Sequence, residues 1–565
     1  MAFFVLIVGA CLIPIIANTL YVRWKMGPVK RGLEAVQQGD AVAAIAHLEP
    51  VGAADSPLPR TNLGRTIHFS AAQLIGPALN QVGRFEDSLA YSQRATQLLD
   101  AGVKMPPAVC AAVQAEQMRS LTALDREPEA RQCHQRILET LSDASSDDMD
   151  QVAEFVLPTY AVIGCDQKRA FSIQTLSELI DAFEPSFPSH PATMRCYLYR
   201  GNVLMMDGEY VSAEENLRHV LGDFTTPLHD ATAADAWDAM ANLRSILEEY
   251  PAASEAHGKC LNALKRTLGV DQLVYENRRL IQAVALLNHG QTKKAYELGK
   301  QAVDAMRRIA PAENPVVAQS QVQWAFMLLS FGEFKQAYEQ SVAAEEYYAA
   351  SKDINFTFWN FARIIRGFYF VDLGRRDEAI ELLRQVVQQM KAELGQDNRQ
   401  VIEIENCFAS VLAANGLLDE SREIIDRNQR IIEAYEPRSR IQESTLLRAK
   451  AIIALKSNDP TTASRLLDQA KQSIKDVLHP DNDTFASIAV WQAKTLKARG
   501  RYADARAELQ TAERIWTETT NGEHPRLREV FELQASACQE LGDRTAGDEY
   551  RTKAERIASI IASLP

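Results

Sequence analysis

Sequence motifs of the common enzyme classes are absent from this chain. It contains no Gly-rich phosphate loop, no His-Glu-x-x-His, no Gly-x-Ser-x-Gly and no dinucleotide-binding fingerprint. The 10 histidines do not cluster, and neither Cys-x-x-Cys nor the His-containing spacing of a zinc site occurs. We therefore expect a protein that is not an enzyme and that has no catalytic residues, no metal site and no cofactor.

Basic residues are too few for a nucleic-acid surface. The chain has 61 Lys and Arg against 74 Asp and Glu, which gives a formal net charge of −13 at pH 7. Binding to nucleic acid needs a basic surface, because Lys and Arg displace the counterions of the phosphates. No basic stripe offsets the acidic balance, so we expect no nucleic-acid partner.

What the chain does contain is a repeat of 42 residues. Small residues, mostly alanine, stand seven before, five after and twelve after a recurring Gly or Asn. Small residues let two helices pack closely, and Gly or Asn suits a turn that needs positive φ. The unit is therefore predicted to be helix, tight turn, helix. We call the recurring residues the turn positions: Gly290, Gly332, Gly374, Gly416, Asn458, Gly500 and Gly542.

Several turns read Gly-x-aromatic, as at residues 83–85, 208–210, 332–334 and 500–502. With the alanines that follow, they resemble the tetratricopeptide repeat. The long period is similar to that of kinesin light chains, whose repeats often begin with a His-Pro pair. This chain has two such pairs, His479-Pro480 and His524-Pro525. The resemblance implies an all-α superhelical solenoid of antiparallel helix pairs whose first helices line a concave groove. An unrelated helical solenoid of the same period is the alternative.

Weaker copies of the unit precede the regular ones. Gly39, Gly83, Asp125 and Gly208 have small residues at the expected offsets. We predict three regions, which are a membrane anchor in residues 1–27, degenerate repeats in 28–275 and regular repeats in 276–565. About thirteen units would form one continuous array, because each repeat contacts only its neighbours.

The N-terminus predicts one membrane-spanning helix ahead of the solenoid. Residues 2–22 are almost entirely apolar, and at about 1.5 Å per residue they span the roughly 30 Å hydrocarbon core of a bilayer. A cleaved signal peptide and a lipoprotein box at Cys11 are the alternatives. By the positive-inside rule, the repeats of this single-pass membrane protein face the cytoplasm. The basic flank that sets this orientation is Arg23, Lys25, Lys30 and Arg31.

Aromatic residues are concentrated between Trp324 and Phe370. The resemblance implies that groove side chains lie thirteen, ten, six and three residues before each turn position. In this region those positions form an apolar stripe, which would bind an amphipathic helix or an extended peptide. The alternative is that the rings pack between helices. The candidate groove residues are Val322, Phe326, Leu329, Phe361, Ile364, Phe368 and Val371.

These patterns predict a membrane-anchored scaffold or adaptor that binds proteins on the cytoplasmic side. Its expected partners are proteins or peptides, together with the membrane that holds the N-terminal helix. One alternative is a regulator whose helical repeats sense a peptide or a small ligand. The groove is predicted to become polar towards the C-terminus, since the repeat of Gly416 has Glu403, Asn406 and Ser410 at the same offsets.

Overall fold

The structure, a computed structural model, describes ten stretches of the chain: residues 28–36, 41–51, 57–165, 168–222, 227–269, 272–311, 314–350, 356–434, 438–520 and 522–565. Every regular element in these stretches is a helix. In chain order they are α1 (28–36), α2 (Ala41–Leu48), α3 (Asn62–Gln81), α4 (Phe85–Asp100), α5 (Pro107–Ala123), α6 (Glu127–Leu141), α7 (Ser146–Phe155), α8 (Leu157–Cys165), α9 (Arg169–Phe183), α10 (Pro191–Asp207), α11 (Tyr210–Leu221), α12 (Pro227–Ile246), α13 (Tyr250–Thr267), α14 (Leu273–Asn288), α15 (Thr292–Ile309), α16 (Pro315–Ser330), α17 (Phe334–Ala350), α18 (Phe356–Asp372), α19 (Arg376–Leu394), α20 (Arg399–Ala414), α21 (Leu418–Ile432), α22 (Arg440–Lys456), α23 (Pro460–Ile474), α24 (Asp483–Ala498), α25 (Tyr502–Thr520), α26 (Leu527–Glu540) and α27 (Arg544–Ala562).

Consecutive helices pack as pairs, α14 with α15, α16 with α17, and so on to α26 with α27. Small residues at the interfaces make this packing close. Ala295, Ala337 and Ala379 are fully buried, and a methyl group added at Gly367 would lie 2.6 Å from the side chain of Leu383. The predicted all-α solenoid of tetratricopeptide-like helix pairs is therefore confirmed at this level.

The turn positions have the predicted backbone conformation. All seven have positive φ, from 63° at Asn458 to 87° at Gly416. The residue after each turn position donates its N–H to the carbonyl five residues earlier, as from Gln291 to Leu286 at 2.9 Å. This bond is the mark of a Schellman motif, in which a left-handed residue ends a helix and satisfies its last carbonyls.

Asparagine side chains begin several of the first helices. Asn314, Asn398 and Asn482 each accept a hydrogen bond from the backbone N–H two residues later, at 2.9 to 3.0 Å. Ser439 does the same for the N–H of Gln442 at 3.1 Å. These caps satisfy N–H groups that have no partner within a helix, so they fix where these four first helices start.

The chain divides into two compact units, Met1–Ala236 and Trp237–Pro565. In the first unit a continuous apolar core extends from Leu89 to Cys196. The second unit contains the regular repeats, and it also contains a left-handed turn at Glu248 with φ 62°. The predicted boundary near residue 275 concerns how regular the repeats are, and it stays a prediction.

The second unit closes on itself. The carboxylate of Glu248 accepts hydrogen bonds from Ser439 Oγ at 2.6 Å and from two backbone N–H groups at the start of α22. Further along, the side chain of His479 packs directly against Gly290, and that of Thr520 packs against Gly332. The residues joined by the hydrogen bonds of Glu248, Tyr369 and Arg375 are 190 to 196 residues apart in sequence, or about four and a half repeats. We call this line of contacts the seam. Its first side consists of Glu248, Gly290, Gly332, Phe334, Tyr369, Asp372 and Arg375, and its second side of Ser439–Ile441, His479, Thr520, His524, Arg526 and Pro565.

The predicted localisation is wrong. Among the residues that the structure describes, no helix is long and apolar enough to cross a membrane. Even the longest helices, such as the 20-residue α3, combine a buried face with polar residues on the other face. The predicted anchor, residues 1–27 with Arg23 and Lys25, lies outside the described residues. Lys30 and Arg31 are exposed on α1, where Lys30 lies 3.8 Å from Glu34.

Candidate protein-binding groove

Side chains at the predicted groove offsets contact one another from repeat to repeat in α22, α24 and α26. Arg448 donates to Ser487 at 3.3 Å, and Lys497 donates to Ser536 at 2.8 Å. Lys494 forms an ion pair with Glu529 at 2.7 Å. The first helices of these pairs therefore present a continuous row of side chains, and its character here is polar and charged.

The apolar candidates on α16 and α18 lie in three different environments. Val322 and Ile364 are core residues, with 3% and 4% of their surfaces exposed. Phe326 is 49% exposed, which is unusual for a phenylalanine. The others are half-buried: Leu329, Phe361, Phe368 and Val371.

Neighbouring helices explain this division. Val322 packs with Ala344, Tyr348 and Ile365 between α16, α17 and α18, so its side chain is enclosed and cannot contact a ligand. Ile364 belongs to a second cluster, with Tyr369 and Phe370 on α18 and Met390 on α19.

The four half-buried candidates lie at the borders of these two clusters. Leu329 and Phe361 pack against both of them, and Phe368 and Val371 pack against the second. Their remaining surface is accessible. Phe326 and these four residues therefore keep accessible apolar surface on α16 and α18, whereas Val322 and Ile364 are covered.

Six aromatic residues of the aromatic-rich stretch are core: Trp324, Phe331, Phe334, Tyr348, Tyr369 and Phe370. Trp324 lies 6.1 Å from Phe331 between ring centroids, and Tyr296 of α15 completes this group at 5.0 Å from Phe331. Phe334 and Tyr369 are buried as well. These rings pack between helices, which is the alternative that the sequence left open for them.

The polar candidates of the Gly416 repeat do not all reach the groove. Asn406 is fully buried, where it accepts from Asn428 at 2.9 Å and donates to Gln442 at 3.0 Å. Beside it, the carboxylate of Glu405 is buried between Lys391 and Arg427. This buried network joins α19 to α22. Two charged partners and the amides satisfy it, so it stabilises the packing of the repeats.

Sequence reasoning missed an ionic cluster on the seam. Arg526 pairs with Asp372 at 2.6 Å and with Asp483 at 3.3 Å, and Trp516 donates its indole N–H to Asp483. Beside it, His524 is buried, with its ring edge-on to Phe334 of the first side. The His-Pro pair at this place was visible in the sequence, but its partners were not.

Burial and charge determine the protonation states of this cluster. Burial acts to raise the pKa of Asp483, but Arg526 and His524 outweigh it, and the pKa lies below its usual value. Burial raises the pKa of Asp372 even though Arg526 lies beside it. Burial, and secondly the charge of Arg526, lower the pKa of His524 to about 3, so its imidazole is neutral at physiological pH.

Comparisons with known proteins give likenesses of fold alone. No protein-family model matches the chain, and no curated protein matches it. Among solved structures it is similar to the APC/C hetero-tetramer Cut9–Hcn1, with a TM-score of 0.46, 14% identity and coverage of 95% of this chain and 88% of that one. It is also similar to a Rap protein complexed with competence and sporulation factor, with a TM-score of 0.46, 13% identity and coverage of 74% of this chain and 99% of that one. For BtubC from P. vanneervenii the TM-score is 0.28 and the identity is 13%, with coverage of 44% of this chain and 94% of that one.

Proposed function

We propose that the chain is a scaffold that binds protein segments along the first helices of its second unit. The observation that carries the proposal is the exposure of Phe326, a large apolar ring that lies one turn of α16 before the half-buried Leu329. An aromatic side chain that a fold leaves uncovered is a strong interface anchor, because it buries a large area with little loss of conformational freedom.

The character of the row indicates what kind of segment fits. Its apolar part lies on α16 and α18, and its charged part lies on α22 to α26, where Arg448, Lys494 and Lys497 alternate with Glu529. An amphipathic helix or an extended peptide with apolar residues at one end would match the apolar part. Solvated ion pairs contribute little net affinity, so we place the main binding energy at Phe326.

A selection with displayed peptides tests the proposal. A library of peptides of about 15 residues is selected on the full chain, and single peptides are then titrated against variants. Phe326→Ser should weaken the selected peptides by about 30-fold, the effect of losing one aromatic anchor of roughly 2 kcal/mol. Its thermal stability should hardly change, because half-exposed side chains contribute little to it.

Leu417→Ser is the matched control. Leu417 is 41% exposed in the same unit but lies at the start of α21, outside the row. It should leave the affinity of every selected peptide unchanged. Equal loss in the two variants, or a library that yields no binder at all, would overturn the proposal.

A second candidate function is a regulator whose repeats respond to a bound ligand. The seam favours it, because contacts such as those of Glu248 could break or form as the curvature of the repeats changes. Hydrogen exchange at residues 439–441, measured with and without a selected peptide, tests it. Exchange that the peptide leaves unchanged would exclude this function for that ligand.

A further inference from the structure

A small aromatic pocket lies on the seam where α18 ends. Tyr338, Tyr369 and Phe370 form its walls, with 5.0 Å between the ring centroids of Tyr338 and Tyr369. Tyr369 is fully buried, and Phe370 is nearly so. The guanidinium group of Arg375 lies 4.4 Å from the centroid of the Phe370 ring and forms the rim. We call these four residues the tail pocket.

The last residues of the sequence occupy this pocket. Leu564 packs against the apolar cluster that contains Tyr369 and Phe370. The carbonyl oxygen of Pro565 accepts two hydrogen bonds, one from the Tyr369 hydroxyl at 2.7 Å and one from Arg375 Nη1 at 2.9 Å. An aliphatic side chain and a main-chain oxygen are thus recognised together, which is how many peptide-binding sites read a short segment.

The donors of the pocket are held in place by groups other than the tail. Arg375 also donates from Nε and Nη2 to the two carboxylate oxygens of Glu378, both at 2.7 Å. This bidentate pair fixes the plane of the guanidinium group and leaves Nη1 free to point at the tail. Burial raises the pKa of Tyr369 to about 12, so its hydroxyl remains a donor at physiological pH. A site that is built before its ligand arrives loses less free energy when it binds.

The tail pocket adjoins the groove residues. Phe361, Phe368 and Val371 pack against the same cluster as Leu564, so an occupant of the pocket touches the side chains that border the proposed binding row. The segment that contains Leu564 follows directly on α27, which ends at Ala562, so only Ser563 separates Leu564 from that helix. Such a short connection keeps the tail at a high local concentration.

We propose that the tail pocket is a binding site for a peptide segment in which an aliphatic residue precedes a main-chain carbonyl or carboxylate oxygen, and that residues 563–565 are its internal occupant. A partner segment of this chemistry displaces the tail and gains access to the neighbouring groove residues. The role of a partner rests on the proposed function, whereas the binding of the tail itself does not.

A labelled peptide with the sequence of residues 559–565, Ser-Ile-Ile-Ala-Ser-Leu-Pro, tests this directly. It is titrated by fluorescence anisotropy into the full chain and into Leu564→Asp, whose own tail cannot remain in an apolar pocket. We expect Leu564→Asp to bind the peptide at least tenfold more tightly than the unchanged chain, because the pocket is vacated. Leu564→Ala should also bind the peptide more tightly than the unchanged chain, but by a smaller factor. Circular dichroism checks that both variants are folded.

Arg375→Gln in the Leu564→Asp chain provides the second arm, with Arg376→Gln as the matched control. Arg376 is exposed one position further along α19. The Arg375 variant should lose about tenfold in affinity, and the control should lose none. Peptides made as the free acid and as the C-terminal amide separate a carboxylate from a carbonyl as the preferred group, since Arg375→Gln reduces the affinity of a carboxylate more.

Equal affinity of the unchanged chain and Leu564→Asp, or an Arg375→Gln variant that binds as well as its control, would overturn the tail pocket. Phe326→Ser in the Leu564→Asp chain separates the two proposals, because Phe326 is not part of the cluster that holds Leu564. If the tail peptide fails to bind while library peptides still depend on Phe326, the proposed function stands without the tail pocket. The reverse result would leave the tail pocket and remove the groove.

Discussion

An alanine at Gly332 should open the seam at one place. Gly332 has φ 80°, and a Cβ there would lie 2.7 Å from Thr520 Cβ and 3.3 Å from Thr520 Cγ2. Carbon atoms prefer to be at least 3.5 Å apart, so the two sides of the seam must separate by roughly 0.8 Å or more. Overpacking of this kind costs about 1–3 kcal/mol. The positive φ adds about 1–2 kcal/mol for a residue with a side chain.

Gly416→Ala isolates the steric part of this effect. Gly416 has φ 87°, and no described atom beyond its own chain neighbours lies within 4 Å of a Cβ built on it. It should therefore lose only the roughly 1–2 kcal/mol of the backbone term, so that Gly332→Ala is the more destabilising by about 1–3 kcal/mol.

Hydrogen exchange is the appropriate assay, because it reports local opening segment by segment. Peptides that cover residues 516–526 should exchange faster in Gly332→Ala than in the unchanged chain, and Gly416→Ala should leave them as they were. Thr520→Gly removes both close atoms. Adding Gly332→Ala to a Thr520→Gly chain should therefore not accelerate exchange at residues 516–526 any further. Equal exchange at 516–526 in the two alanine variants would refute the seam.

Two further predictions concern the same line of contacts. Glu248→Ala removes the acceptor of Ser439 and of two N–H groups of α22. Hydrogen exchange at residues 439–446 should therefore accelerate by an amount that corresponds to about 1–2 kcal/mol. Glu249→Ala, which removes an exposed partner of Arg244, is the control and should leave this exchange unchanged. Folding lowers the pKa of His524 from 6.5 to about 3, so its contribution to stability is present above pH 6.5 and is lost as the pH falls towards 3. Urea midpoints at pH 7, 5.5 and 4 should therefore fall more steeply for the unchanged chain than for His524→Asn, which keeps an acceptor for the N–H of Arg526; parallel curves would contradict the assignment.

Local features of the repeat could be predicted from the sequence because they depend on neighbouring residues. A left-handed turn needs Gly or Asn, and the close packing of a helix pair needs small side chains, so both leave a residue type at a fixed offset. Glu248 shows the limit of that inference. It adopts φ 62° although it is neither Gly nor Asn, and the capping bonds that it makes across the seam come from residues more than 190 positions later.

The groove was harder to predict than the turns. Offsets along a first helix identify the side that faces away from its second helix, but they do not say how closely the next pair approaches. Neighbouring helices bury Val322 and Ile364 for that reason, while Phe326, which also lies at a predicted groove offset, is exposed. Contacts across the seam depend on how many repeats complete one turn of the coil. That number follows from small rotations between pairs, and no single residue type encodes it.

The seam also changes how stability is distributed within the second unit. In an open array each repeat is stabilised by its two neighbours, so local unfolding can stop after one pair. Here Glu248 supports α22, and Arg526 supports the end of α18, so the loss of one pair removes contacts from a pair about three and a half to four and a half repeats away. Cooperativity therefore extends around the coil as well as along it, and the regular repeats of this unit should melt as one block.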